Sequence, residues 1–235
     1  MKTALIPGGS GALGTSVTLR LIDEAFRCVV PYRVVDEAQR LRSSVPPQCR
    51  DQLLLLEADM LNDDDVERVF NATLEFGGLY ALVHLLGGIR GFQPIADTPV
   101  EDWDALIQLN LRSLFICARL AMRHFRETNT GRIVTIGAMA SIKPSARQAG
   151  YGVAKAGVSA LTKILADEGR EIGVTANCIL PSVIKTEANL SWGSDDEISS
   201  WVLPDQIAAT IANLLHDEAA AVNGSDLRLF GALNI

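Results

Sequence analysis

The stretch Thr3-Ala4-Leu5-Ile6-Pro7-Gly8-Gly9-Ser10-Gly11-Ala12-Leu13-Gly14 sets a short apolar run directly against a cluster of glycines. The run is too short for a helix and reads as a buried strand. The glycines after it permit a tight turn and let a ligand come close to backbone N–H groups. Helical sequence opens at Ala12, so the segment has the strand–turn–helix context in which a pyrophosphate rests on a helix N-terminus. It therefore predicts a dinucleotide site built from Gly8, Gly9, Ser10, Ala12, Leu13 and Gly14, within the first βα unit of a nucleotide-binding fold.

Outward from that unit the alternation continues unbroken. Apolar runs ending in turn residues read as strands near 3–6, 28–32, 53–57, 80–85, 132–136, 174–179 and 226–229. Stretches of helical periodicity lie near 12–25, 35–43, 63–75, 101–127, 150–169 and 204–216. The pattern predicts a doubly wound, Rossmann-type α/β fold, with a mostly parallel sheet and helices on both faces. A chain of 235 residues with 48% apolar content can bury one large core, so a single domain over 1–235 is expected. The least regular segment, 187–200, falls where such sheets carry binding loops and is the expected substrate loop.

Composition narrows the partners. A formal net charge of -7 and the lack of a basic run disfavour nucleic acid and anionic membrane surfaces, leaving small molecules and protein partners. Cys28, Cys49, Cys117 and Cys178 lie far apart with no metal-ligand spacing, which suits free thiols in a reducing cytoplasm. No run approaches the roughly 18 apolar residues of a membrane span, and no targeting segment is evident. The expected location is therefore cytoplasmic. His84, on an apolar strand, reads as a core histidine, and Asp63-Asp64-Asp65 as a helix cap and acidic first turn, so no metal is expected.

Two further positions bear on the cofactor. The second strand ends at Tyr32-Arg33, where NAD-specific sites usually place a carboxylate. Arg33 can pair with a 2'-phosphate, which favours NADP(H) over NAD(H); the other reading leaves Arg33 solvated and gives the ribose to Asp36. Asp59-Met60, past the third strand, can reach an adenine edge, or Asp59 can cap the next helix.

Chemistry is written in Tyr151-Gly152-Val153-Ala154-Lys155. On a helix, residues four apart share a face, and an ammonium beside a phenol favours the phenolate. Together these motifs resemble the short-chain dehydrogenase/reductase family from Ala4 to Gly231. Pro7 to Gly14 is similar to its Thr-Gly-x-x-x-Gly-x-Gly turn. Val83-His84-Leu85-Leu86-Gly87 stands at its Asn-Asn-Ala-Gly segment, with only Gly87 kept. Asn110 matches the asparagine that kinks the long helix and holds a water of the proton relay, and Tyr151 and Lys155 match the catalytic pair. Pro181-Ser182-Val183-Ile184-Lys185-Thr186 resembles the Pro-Gly-x-x-x-Thr segment at the nicotinamide, with Pro181 and Thr186 as cofactor contacts.

The resemblance implies an NAD(P)(H)-dependent hydride transfer to a small carbonyl or quinonoid substrate. Tyr151 would be its general acid or base, and Lys155 would bind the nicotinamide ribose. It also implies a homo-tetramer or homo-dimer formed through the two long helices. The family's substrate-orienting serine falls on Ala138, and Ser141 is the nearest hydroxyl that can swing into the gap. Dihydropteridine reductases also lack that serine and show a similar Gly-Ala pair, so an enzyme of that kind is one alternative. A nucleotide-binding or sensor protein with little catalysis is another. Trp192 and Trp201 flank Asp195-Asp196-Glu197 in the substrate loop, where indoles serve equally as a lid or as a seal against the core or a neighbouring subunit.

Overall fold

The computed structural model describes residues 1–232; the end of the single-domain span, 233–235, lies outside the described residues. Seven strands form one sheet: β1 (Thr3–Leu5), β2 (Arg27–Tyr32), β3 (Leu53–Glu57), β4 (Ala81–His84), β5 (Gly131–Ile136), β6 (Val174–Pro181) and β7 (Asp226–Leu229). They lie in the order β3-β2-β1-β4-β5-β6-β7. Every pairing is parallel, so the sheet is wholly rather than mostly parallel.

Strand residues alternate between two cores, as a sheet covered on both faces requires. Leu5, Val29 and Leu82 point to the side packed by α3 (Asp63–Gly77), α5 (Ser113–Thr128) and α6 (Ala149–Gly169). Ala4, Ile6, Cys28 and Val30 point to the side packed by α1 (Ala12–Asp23), α2 (Val35–Ser44) and α9 (Pro204–Leu215). The strand order reverses between β1 and β4, and a crevice opens at that switch point beyond the carboxyl ends of the strands.

Three local readings are corrected. The helix expected over 101–127 is α4 (Val100–Ile107) and α5 joined by a π turn over Gln108–Arg112, whose extra residue re-aims Asn110. Although Val100–Thr128 is long and apolar enough to cross a membrane by composition, half of that apolar window is buried, with Leu114, Cys117, Ala121 and Phe125 in the core. Second, α3 is capped by Asn62, whose side chain accepts from the Asp65 N–H, while Asp63, Asp64 and Asp65 form its first turn. Third, 187–200 folds into two short helices, α7 (Glu187–Leu190) and α8 (Asp195–Ser200), the second closed by a reciprocal Ser194–Glu197 cap.

Candidate active site

The turn after β1 is shaped by close approach. At Gly8 φ is +84°, and a Cβ there would meet Leu86 N at 2.8 Å, so this turn packs on the chain leaving β4. A Cβ at Gly14 would meet Gly8 O at 2.0 Å. Gly11 differs, because a Cβ there would meet only Gly8 O at 3.6 Å, so the protein's own packing does not demand a glycine. Its bare backbone faces the cleft at the N-terminus of α1, the kind of surface a pyrophosphate needs.

The cleft occupies about 1140 Å³, more than the upper range of about 1,000 Å³ for one drug-sized ligand and enough for a dinucleotide with a small substrate. Of the residues assigned from sequence to cofactor, catalysis or substrate, all but Gly9, Asn110, Ser141 and Thr186 line it. Gly9 lies behind the turn, where a Cβ would meet Ile6 O at 2.9 Å, and its carbonyl accepts from Thr18 Oγ1. Thr186 does not reach the wall, because the chain turns at the Ile184–Val202 bridge and leaves Thr186 at the N-terminus of α7. Ser141 does not fill the place beside Ala138, since its Oγ accepts from the Ala138 N–H at 3.3 Å within a turn of 3-10 helix.

At the floor of the cleft, Lys155 is 5% exposed and its Nζ donates to the Ile136 carbonyl at 2.8 Å. That ammonium lies 6.0 Å from the centre of the Tyr151 ring. Burial lowers Lys155 to about 8 and pushes the Tyr151 phenol up to about 12. The expected fall of the tyrosine under the lysine's influence is therefore absent, because desolvation dominates and Lys155 directs a proton at Ile136.

Asn110 is fully buried behind the wall, and all its bonds go to backbone. Its Oδ1 accepts from Gly88 N at 3.0 Å, and its Nδ2 donates to the Gly88 and Leu106 carbonyls, each at 3.0 Å. A Cβ on Gly87 would lie 2.7 Å from Asn110 Oδ1 and 2.9 Å from Lys155 Nζ, so both side chains close on that glycine. His84 is buried against Ser113 Oγ at 3.2 Å, and burial, aided by Lys155, lowers it to about 3, which keeps it neutral.

At the adenosine end, Arg33 sits 63% exposed with Asp59 at 3.7 Å. Asp59 also accepts from the Leu61 N–H at 3.0 Å. Asp36 does not line the cleft; Glu37 does, and it accepts from Ser10 Oγ at 3.3 Å. At the other end Trp192 is 60% exposed on the rim and packs on buried Trp201, with ring centres 4.9 Å apart. Glu37 and Gln148 are lining residues that the sequence reading did not single out. Gln148 stands three residues before Tyr151 but outside the helix expected over 150–169, so periodicity gives no signal for it.

A parallel sheet whose switch-point turn is shaped for a pyrophosphate, with a buried lysine beneath a phenol at the far end, defines a nicotinamide-dependent oxidoreductase. The short chain dehydrogenase family matches residues 2–197, and the chain belongs to that family. It is 28% identical to a 3-oxoacyl-[acyl-carrier-protein] reductase of Synechocystis sp., covering 99% of this chain and 96% of the relative. It is 30% identical to an acetoacetyl-CoA reductase of Allochromatium vinosum, covering 99% and 98% respectively. The solved structure of ElxO with NADP bound has a TM-score of 0.90 at 24% identity, covering 98% of this chain and 97% of that one, a likeness of fold.

Proposed function

We propose that the protein reduces a small carbonyl or quinonoid acceptor, prefers NADP(H), and uses Tyr151 as its general acid. The observation that carries this reading is the pairing of half-buried Tyr151 with buried Lys155 at the floor of the cleft that begins at the glycine turn. A reduced nicotinamide, when bound, supplies a hydride to the acceptor carbon. As the carbonyl π pair moves onto oxygen, Tyr151 gives that oxygen its phenolic proton, so an alcohol leaves and the phenolate regains a proton from water. A phenol near 12 is fully protonated at neutral pH and is loaded for this step. Lys155, charged below about 8, stabilises the transient phenolate. Asn110 is a positioning residue, fixing the Gly87-Gly88 backbone beside the lysine.

NADP(H) is favoured because Arg33 is exposed and only loosely held by Asp59, leaving its guanidinium free for a 2'-phosphate. Glu37, held by Ser10 Oγ, is the lining carboxylate whose charge would repel that phosphate. Arg33→Ala should raise the KM for NADPH by about tenfold to a hundredfold, the worth of a hydrogen bond to a charged group, and leave NADH little changed. Equal effects on both cofactors would give the ribose to Glu37 instead.

The reading is tested by following NADPH and NADH oxidation with acetoacetyl-CoA, simple diketones and quinonoid dihydropterin, with Tyr151→Phe beside the parent. The names of the relatives put acetoacetyl-CoA first. Turnover lost in Tyr151→Phe with cofactor affinity retained is the expected result; no turnover in the parent despite tight cofactor binding would make the protein a sensor. Ala138, a methyl where an oxygen-holding hydroxyl is expected, favours a second reading, a dihydropteridine reductase-like enzyme with a readily reduced acceptor. Reduction of the pterin alone would select it.

A further inference from the structure

A carbonyl oxygen that gathers charge offers two lone pairs, and Tyr151 can engage only one of them. The Ala138 methyl engages none. We propose that Gln148 supplies the second hydrogen bond, its side-chain amide donating to the acceptor oxygen from the start of α6. The inference rests on the carbonyl-reductase reading above.

The polar side chains lining the substrate end of the cleft are Gln148, Tyr151, Lys155, Ser182, Asn189 and Trp192. Ser182 Oγ is committed to the Phe230 carbonyl at 3.1 Å. Asn189 donates to the Ile184 carbonyl at 2.9 Å and accepts from Trp192 Nε1 at 3.4 Å. Lys155 gives one of its three N–H donors to Ile136 and Asn189 one of its two to Ile184, while Ser141 is turned to the Ala138 N–H outside the cleft. The Gln148 side chain makes no hydrogen bond among the described residues and does not cap its own helix, so both of its N–H donors are uncommitted.

The backbone sets where Gln148 stands. It is the N-cap of α6, three residues before Tyr151, and both residues line the same cleft. Its carbonyl accepts from the Gly152 N–H at 2.7 Å, which locks it to the helix. The preceding residue, Arg147, has φ +66°, a left-handed conformation that costs a non-glycine residue about 1–2 kcal/mol. Strain of this kind persists where surrounding structure overrides it, and it clusters at ligand-binding turns. No bond to Gln148 forms or breaks: its N–H holds the oxygen while hydride reaches carbon, and the transferred proton still comes from Tyr151.

The test uses the full chain with NADPH and two acceptors, acetoacetyl-CoA and phenanthrenequinone. Gln148→Leu should lower kcat by about a hundredfold, the loss typical of one oxyanion donor, while melting temperature and NADPH affinity stay at parental values. Adding Ala138→Ser to that variant should recover about tenfold or more, because a hydroxyl then stands on the other side of the oxygen. A structural role for Gln148 would lower melting temperature and cofactor affinity together and would not be rescued from position 138. Should the leucine variant fail to fold, Gln148→Asn withdraws the donor by one methylene, and the same rescue is read. Full kcat in Gln148→Leu with Tyr151→Phe inactive overturns this inference and leaves the reductase reading standing. A parent inactive on both acceptors and on the wider panel overturns that reading, and this inference with it.

Discussion

At Lys155 burial and charge oppose each other, and the balance sets a pH dependence. Desolvation brings the amine down to about 8, so it is charged at neutrality and loses its proton as pH rises through that value. The reductive kcat/KM should therefore fall on the alkaline side with a midpoint near 8. With Tyr151 near 12, no limb from the phenol is expected around neutrality. In Lys155→Met the alkaline limb should vanish and leave a low, flat profile; a limb that survives would belong to another group. Gly87 offers a second test. Its missing Cβ leaves the space that Asn110 Oδ1 and Lys155 Nζ occupy, so Gly87→Ala must displace one of them. Overpacking of this sort costs about 1–3 kcal/mol, read by denaturant unfolding, and kcat should drop with it. The Tyr-Lys pair and the glycine turn were legible in the sequence because each is set by local spacing. Glu37 was not, because its approach to Ser10 is made only when α2 folds back over the turn.

The helix pair α4–α5 shows where legibility stops at the level of elements. Its periodicity and boundaries were plain, yet the extra residue of the π turn leaves no mark in composition. What it accomplishes is visible only in three dimensions: the turn swings Asn110 inward to staple Gly88 by both its N–H and its C=O. Asn110→Leu keeps the bulk and strands those two backbone groups. Leaving a buried polar group unpaired costs about 1–3 kcal/mol, and Gly88 is only partly buried, so the variant should be destabilised by up to about that much in urea, with KM for NADPH raised. Unchanged stability would mean that water replaces the side chain at Gly88. The strands were read almost to the residue, because a sheet buried on both faces writes continuous apolar runs. The segment 187–200 reads as irregular in the sequence because its two helices are too short for a periodic signal, and the Ser194–Glu197 cap closes the second one.

The whole molecule buries its sheet under helices on both sides and still leaves apolar surface on α5 and α6. Phe115 on α5 is 53% exposed, and Val153 and Ile164 on α6 are 51% and 53% exposed. Residues 153 and 164 are eleven apart, about three helical turns, so they share one outward face. That face lies opposite the one on which α6 carries Lys155 into the cleft. Large apolar side chains lined up on two neighbouring helices are the composition of an association surface rather than of scattered surface residues. We propose that this face takes part in self-association, in the homo-dimer or homo-tetramer that the family resemblance implies. In an isologous contact each residue meets its own patch on the second copy, so one added charge is met twice. Ile164→Glu and Phe115→Glu, alone and together, should convert the oligomer to a species of one-chain mass in sedimentation velocity. Catalysis should weaken in parallel, because α6 carries both the contact and the Tyr151–Lys155 pair. A parent that sediments as a single chain at micromolar concentration would refute the assignment and leave those three side chains for another partner.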